Sequence, residues 1–308
     1  MAALRNESVF GLAAGLLVLL IFSGTLVVSR MGAINSLTIY DVAALRFGIA
    51  AVCVLPFLGK VRWSSLTWRR SITLAIVGGA VFALFLLGGF VFAPVAHGGI
   101  VVNGAMPIIA ALLTWFIFGE GLGRWRIAGI GLIVVGVAAT GWDALEFGVP
   151  GQWKGHLLFL GAAACNSGFL TAVRGWRINA LESLVAVMGL NALIYVPIWW
   201  LFLPSTIFEA PWQEIALQGF YQGVVAAFVA GFLIAHAART IGSTRQAAIM
   251  SGAPALALLM AIPLLGEIPS WISVAGVVIV TAGILVTLGA NLFRPAAAPA
   301  TSENTRLS

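Results

Sequence analysis

Apolar residues fill long stretches of this chain, and short polar segments separate them at regular intervals. Ten apolar runs have about the length that an α-helix needs to cross roughly 30 Å of hydrocarbon. Helices rather than strands are predicted, because an open sheet cannot satisfy its backbone in lipid. The connections are short, so no inserted soluble domain is expected. The predicted spans are residues 9–28, 38–58, 71–92, 99–118, 125–142, 155–173, 182–203, 213–236, 245–265 and 271–291.

Composition excludes a soluble globular protein and favours an all-α integral membrane protein. The 308 residues are 61% hydrophobic and only 8% charged, whereas a soluble domain carries about 25% charged residues. The net charge of +6 is assigned to cytoplasmic loops, and no nucleic-acid partner is expected. The expected partners are the lipid bilayer and a small-molecule substrate. The oligomeric state is left open, and a monomer is compatible with the sequence.

The distribution of basic residues predicts the orientation. With the N-terminus inside, 13 of the 16 Lys and Arg residues fall in inside segments, and only Arg30 and Lys154 fall in outside loops. Lys and Arg mark the cytoplasmic side of membrane proteins. Both termini are therefore predicted to be cytoplasmic, with the first run uncleaved and residues 292–308 forming a disordered tail. Tryptophans near the outer face, Trp199 among them, are expected to anchor in the interface.

The chain contains an internal repeat. Offsets of 144 and 147 residues divide it into two five-helix units, residues 1–146 and 147–291. Because five is odd, the second unit must cross the membrane upside down relative to the first, as in many alternating-access transporters. The 144-residue offset places Ser23 on Ser167 and Arg30 on Arg174. The 147-residue offset places Pro107 on Pro254, Gly119 on Gly266, Glu120 on Glu267, Gly129 on Gly276 and Gly136 on Gly283.

The repeated residues suggest gating or hinge positions. Pro107 and Pro254 each remove a helical hydrogen bond, and the resulting kink is either a hinge or a feature of shape. The repeat also maps Arg30 and Glu267, at the outer ends of helices 1 and 9, onto Arg174 and Glu120 at the inner ends of helices 6 and 4. Either each set forms an ion pair on its own face, or all four side chains are solvated and mark helix ends.

Three stretches carry a resemblance to a known family. They are "AALRFGIAAVCVLP", "APVAHGGIVVNGAMPIIAALLTWFIFGEGLGRWRIAGIGLIVVGVAA" and "ARTIGSTRQAAIMSGAPALALLMAIPLLGEIPSWISVAGVVIVTAGILV". The chain resembles EamA-type ten-helix members of the drug/metabolite transporter superfamily over about residues 9–291, and within them the YddG-like amino-acid exporters. The resemblance implies transport of small metabolites, with amino acids as candidate cargo, across the cell inner membrane. Helix 1 lacks the carboxylate that the small four-helix multidrug members carry, so proton antiport by that route is not supported.

Polar side chains at membrane depth are candidates to line the substrate path. Arg46 either binds an anionic substrate group or is a structural arginine. The amide and aromatic residues either bind cargo or join helices. His97, placed in an outer loop, and His236 favour surface positions over proton relay. The candidate binding residues are Arg46, Asn103, Asn166, Asn191, Tyr195, Gln218, Tyr221 and Gln222.

Other functional classes fit the sequence poorly. No nucleophile and base recur together, and no phosphate-binding, metal-binding or dinucleotide-binding motif is present, so neither an enzyme nor a cofactor is predicted. Cys53 and Cys165 lie in apolar runs and predict no disulfide. The remaining rival is a channel or a carrier of lipid or another metabolite with the same architecture.

Overall fold

Ten long helices make up the fold in the computed structural model, which describes residues 2–119, 121, 123–146 and 148–292. The first helix begins at Ala2, and its apolar part starts at Phe10. The helical spans are α1 (Phe10–Ile34), α2 (Ile39–Lys60), α3 (Trp68–Phe92), α4 (Val95–Phe118), α5 (Arg124–Glu146), α6 (Gln152–Gly175), α7 (Ala180–Phe202), α8 (Trp212–Thr240), α9 (Ser243–Leu265) and α10 (Trp271–Gly289).

The prediction of an all-helical protein with ten apolar spans is confirmed. Each helix has 19 to 29 residues and is long and apolar enough to cross a membrane. Large apolar side chains such as Leu193, 74% exposed, and Phe202, 78% exposed, point away from the bundle, as a lipid-facing surface requires. Glu120 and residues 293–308 of the predicted tail lie outside the described residues.

Helices α5 and α10 approach each other closely along a line of glycines. A Cβ atom added to Gly129 would lie 2.6 Å from the Gly283 carbonyl oxygen, and one added to Gly283 would lie 2.9 Å from the Gly129 oxygen. Such distances are closer than a side chain tolerates. Small residues allow this approach in lipid, where van der Waals packing holds helices together. Gly129 and Gly283 therefore serve close helix packing at this interface.

The two repeated prolines occupy different backbone environments. Pro107 lies inside the continuous helix α4. Pro254 instead follows a break at Ser251–Gly252 and begins the second helical segment of α9. A proline in a first helical turn removes no hydrogen bond, since its N–H would have no helical partner there. The expectation of equivalent kinks in both halves is therefore wrong, and any hinge in α9 lies in the break rather than at an internal proline.

Two hydroxyl groups join the two halves of the chain in a reciprocal way. Ser23 Oγ in α1 donates to the carbonyl oxygen of Ala253 in α9, at 3.2 Å. Ser167 Oγ in α6 donates to the carbonyl oxygen of Met106 in α4, at 3.1 Å. The offsets of 144 and 147 residues that align the serines and prolines also convert one bond into the other. Each half therefore supplies a first helix that binds the fourth helix of the other half.

Candidate functional site

Arg46 is the strongest candidate for a substrate contact. It is half-buried in α2, and its Nη1 donates to Gln222 Oε1 in α8, at 3.2 Å. Gln222 is 1% exposed, and its Nε2 donates to Ser29 Oγ in α1, at 2.9 Å. A guanidinium carries five N–H donors. Within the described part of the chain, the contact with Gln222 is the only side-chain hydrogen bond of Arg46, so most of its donors stay available.

Two further predicted residues of α8 bind the backbone of α1. Gln218 Nε2 donates to the Val28 carbonyl oxygen at 2.8 Å. Tyr221 Oη donates to the Ile21 carbonyl oxygen at 2.9 Å. Gln218 Oε1 is buried without a hydrogen-bond partner among the described residues, and a buried unpaired acceptor is costly. Side chains of α8 therefore hold the backbone of α1, and one buried acceptor at this interface, Gln218 Oε1, could be satisfied by a ligand.

The predicted residues of α7 form a separate group. Asn191 is buried, and its Oδ1 accepts from the Ala80 backbone N–H while its Nδ2 donates to the Ala75 carbonyl oxygen, both at 3.0 Å. These bonds bridge a wide helical turn at Ile76–Ala80, where Gly79 leaves helical geometry. Tyr195 Oη donates to the Tyr40 carbonyl oxygen at 3.2 Å. Asn191 thus attaches α7 to α3, and Tyr195 attaches it to α2. These contacts match the predicted alternative in which such residues join helices.

The last two predicted amides lie near Met106. Asn103 Nδ2 donates to the Gly99 carbonyl oxygen in its own helix at 2.9 Å, and Asn166 Nδ2 lies 3.4 Å from Met106 Sδ. A thioether is a weak acceptor, so Asn166 keeps most of its hydrogen-bonding capacity. The eight predicted binding residues therefore fall into three groups, and among the described residues no hydrogen bond joins one group to another.

One of the two predicted ion pairs is present in the described residues. Arg30 Nε lies 2.7 Å from Glu267 Oε1, and the two side chains are 17% and 18% exposed. Arg30 Nη1 also donates to the Phe90 carbonyl oxygen, and Glu267 Oε2 accepts from the Val95 backbone N–H at 2.8 Å. The pair is largely buried rather than solvated. A gating role stays a prediction.

Of the second predicted pair, only the arginine, Arg174, is among the described residues. The Arg174 guanidinium lies over the Phe118 ring, 5.2 Å from its centroid, at the end of α4. Glu120 is outside the described residues. Phe118 immediately precedes the Gly119–Glu120 step, so Arg174 reaches the end of α4 that the repeat assigns to it.

The sequence analysis missed three buried carboxylates, Asp41, Asp143 and Glu182, and the first and last of these cap helices. Asp41 and Glu182 are each 0% exposed, and each closes a capping box at the start of its helix, with Thr38 and with Asn179. The patterns Thr-x-x-Asp and Asn-x-x-Glu before an apolar run could have revealed them. Glu182 Oε1 also accepts from Arg62 Nε at 2.8 Å. That hydrogen bond raises the pKa of the Arg62 guanidinium, which lies outside the spans.

The partners of Asp41 correct the prediction for Trp199. Trp199 is 7% exposed, and its Nε1 donates to Asp41 Oδ1 at 2.8 Å. Asp41 also accepts from Ser205 Oγ at 2.6 Å and from the Thr206 backbone N–H at 3.0 Å. Trp199 is therefore a buried hydrogen-bond donor and not an interfacial anchor, because a carboxylate lies within reach of its indole nitrogen.

His97 does not lie in an outer loop, as the sequence analysis expected. Helix α4 begins at Val95, four residues before the predicted start, so His97 is in its first turn and is 3% exposed. Its Nδ1 lies 2.9 Å from His156 Nε2, and its Nε2 lies 2.9 Å from Ser273 Oγ. Asp143 Oδ2 is 3.4 Å from the same Nε2. The histidine is the centre of a buried polar cluster.

This cluster borders a cavity of about 340 Å³ between the ends of several helices. Its polar lining comes from Arg30, His97, Asp143, Gln152 and Glu267 together with Ser270 and Ser273. The predicted gate pair and the histidine cluster therefore share one cavity on the predicted outer face. Within the described ranges, no set of three or more His, Cys, Asp or Glu side chains is arranged to hold a metal ion.

This chain matches one family model and several solved structures. The model of the EamA-like transporter family matches this chain twice, over residues 9–142 and 153–289. No curated protein sequence matches it significantly. Among the solved structures that match, one described as the crystal structure of a protein aligns with a TM-score of 0.58 at 20% identity, covering 94% of this chain and 99% of its own. At that identity the likeness shows a shared fold.

Proposed function

This chain belongs to the EamA-like transporter family, and from that premise we propose that it exports amino acids, including aromatic and large neutral ones, across the inner membrane by alternating access. Membership makes the protein a multi-pass membrane transporter of small molecules. The cargo class, the direction and the mechanism are the proposal. Its narrower basis is the resemblance to YddG-like exporters, together with the chemistry of the polar residues within the bundle.

The observation that carries the cargo proposal is the state of Arg46. A half-buried guanidinium with one side-chain hydrogen bond, to Gln222, offers a fork of N–H groups to an incoming anion. Such a fork binds carboxylates in a bidentate geometry. Gln222 is itself held by Ser29, so the arginine is oriented before cargo arrives. An amino-acid carboxylate would take the donors that the protein leaves unused, and a buried site strengthens that contact.

Alternating access is supported by the relation between the halves. The family model matches two successive stretches of similar length, and the reciprocal serine bonds join the first helix of each half to the fourth helix of the other. With five crossings per half, the second unit would lie upside down relative to the first. The Arg30–Glu267 pair would then close one face while Arg174 and Glu120 serve the other. We place both termini in the cytoplasm on the distribution of Lys and Arg.

The proposal is tested by reconstitution. Purified protein in liposomes should take up radiolabelled amino acids with saturation, and the L-enantiomer should compete better than the D-enantiomer. A panel of aromatic, aliphatic and charged amino acids would define the cargo class. Unsaturable flux would indicate a pore instead. Movement of lipids alone, or of polyvalent cations alone, would refute amino-acid transport while leaving family membership intact.

A further inference from the structure

The cluster around His97 contains a buried carboxylate without a cationic side chain beside it. Asp143 is 5% exposed. Its Oδ2 accepts from Ser270 Oγ at 2.6 Å and from Ser273 Oγ at 3.1 Å. Within the described residues no Lys or Arg forms an ion pair with it, and His97 is its nearest ionisable partner. Buried charges are usually paired or hydrogen-bonded, and here the two serine hydroxyls and His97 are the groups placed to supply hydrogens to the carboxylate.

The hydrogens of the cluster can be assigned from its hydrogen bonds. Gln152 Oε1 accepts from the Val149 backbone N–H at 3.1 Å, so the amide nitrogen of Gln152 is the atom that faces His97 Nδ1, at 3.0 Å. An amide nitrogen only donates. His97 Nδ1 is therefore an acceptor, and the hydrogen of the neutral ring is on Nε2. His156 Nε2 also faces this acceptor and must carry a hydrogen.

Hydrogen bonds through Ser273 connect His97 to the carboxylate of Asp143. His97 Nε2–H donates to Ser273 Oγ at 2.9 Å, and Ser273 Oγ–H donates to Asp143 Oδ2. His156 is half-buried, and no described residue accepts from or donates to its Nδ1. An unbroken series of donors and acceptors thus leads from an open nitrogen on His156 to the buried Asp143.

We propose that His156, His97 and Ser273 form a proton relay that ends on Asp143, a proton-binding site on the predicted outer face. A proton from water bonds to His156 Nδ1, and the Nε2 hydrogen of His156 moves to His97 Nδ1. The Nε2 hydrogen of His97 moves to Ser273 Oγ, whose own hydrogen passes to Asp143. One proton enters, Asp143 becomes neutral, and both histidines stay neutral with their hydrogens moved to Nδ1.

This transfer has a structural consequence at Gln152. After it, His97 Nδ1 carries a hydrogen and faces the amide nitrogen of Gln152, so two donors oppose each other. Gln152 must turn its amide around, and its Oε1 then leaves the Val149 N–H. Binding of a proton would therefore release the short segment between α5 and α6, whose Val149 lines the same cavity.

The other charged groups near the cluster do not replace this role. Arg30 and Glu267 line the cavity but bind each other. Lys154, on the helix of His156, lies 5.9 Å from the centroid of the Phe92 ring. Glu146, one turn after Asp143, is exposed. Helix α9 contributes only apolar residues to the cavity lining. Once Asp143 is protonated, the charged side chains left in the described lining would be Arg30 and Glu267, whose opposite charges balance each other.

Histidine ¹⁵N NMR on the full-length protein tests the relay, because the chain has only three histidines. Ring nitrogen shifts distinguish the two neutral tautomers and the imidazolium. As the pH is lowered stepwise, His97 and His156 should change together from Nε2–H to Nδ1–H. His236 is exposed and is not part of the cluster, so its ring signals provide a reference within the same sample.

The variant Asp143→Asn adds a second prediction. Its amide nitrogen can donate toward His97 Nε2 or Ser273 Oγ, so His97 should hold its hydrogen on Nδ1 at every pH. In the unmodified protein, hydrogen exchange of the Val149 amide, corrected for the intrinsic effect of pH, should rise severalfold in the same step. If His97 keeps its Nε2 hydrogen at low pH, or becomes an imidazolium, the relay is refuted. These measurements use no substrate, so they do not depend on the cargo proposal.

Discussion

Arg30 Nε lies 2.7 Å from Glu267 Oε1, which ties the end of the first helix to the segment after the ninth across 237 positions of sequence. If this pair closes one face, reversing one charge should impair transport. Glu267→Arg and Arg30→Glu should each slow uptake by about tenfold or more, since a broken, largely buried pair costs roughly 3–5 kcal/mol. The double variant should recover much of the rate in proteoliposomes. If uptake by the double variant is no faster than uptake by either single variant, the pair is not a gate.

Arg46 should determine affinity for a carboxylate. Arg46→Gln removes the charged donors, and hydrogen bonds to charged groups contribute about 1.5–3 kcal/mol. The KM for amino-acid uptake should therefore rise by roughly 10- to 100-fold. Arg46→Lys should recover only part of this affinity, because an ammonium lacks the planar fork. Arg69→Gln is the matched control, since Arg69 is exposed and should not affect KM. Equal KM values for all three variants would exclude Arg46 from the site.

Asp41 should be important for stability. Asp41→Ala leaves the donors of Trp199, Ser205 and Thr206 without their acceptor, and each buried unpaired group costs about 1–3 kcal/mol. The Tm of the purified protein should fall by several degrees. Thr38→Ala should cost less, about 1 kcal/mol, because it removes one cap. Exposed Glu209→Ala should leave Tm unchanged. An Asp41→Ala Tm equal to that of Glu209→Ala would contradict the assigned role.

The glycine contact between α5 and α10 can be tested within one helix. Gly129→Ala places a Cβ only 2.6 Å from the Gly283 carbonyl oxygen, whereas Gly131 has no atom within 4 Å of its added Cβ. Overpacking costs roughly 1–3 kcal/mol. Thermal unfolding should show a lower Tm for Gly129→Ala than for Gly131→Ala. Similar Tm values would mean that the interface adjusts without cost.

The predicted orientation has a direct test in intact cells. In a background with Cys53 and Cys165 replaced by alanine, a membrane-impermeant maleimide added outside should label a cysteine at Glu209 but not one at Arg69. The reason is the excess of Lys and Arg in the segments assigned to the inside. Labelling at Arg69 with protection at Glu209 would reverse the topology.

The spans were predictable because hydropathy acts over some twenty residues and tolerates small errors at the ends. Such an error explains His97, because the predicted span began at residue 99 whereas α4 begins at Val95, directly after Pro94. The Arg30–Glu267 pair was predictable because an internal repeat suggested both partners. The hydrogen bond from Trp199 to Asp41 was not predictable, because the two residues are more than 150 positions apart. Tertiary contacts of this kind leave no local pattern.

The reciprocal serine bonds have a consequence for biosynthesis. Ser23 finds its acceptor 230 positions later in the chain, so α1 enters the bilayer long before α9 has been translated. Until then one face of the first helix is exposed to lipid or to the insertion machinery, and the ribosome must complete nearly the whole protein before that helix can dock. A nascent chain released after its fifth helix would hold α4 without α6 and α1 without α9. Such a chain would leave both serine bonds unmade, so the first five helices alone cannot form the packing seen in the full protein.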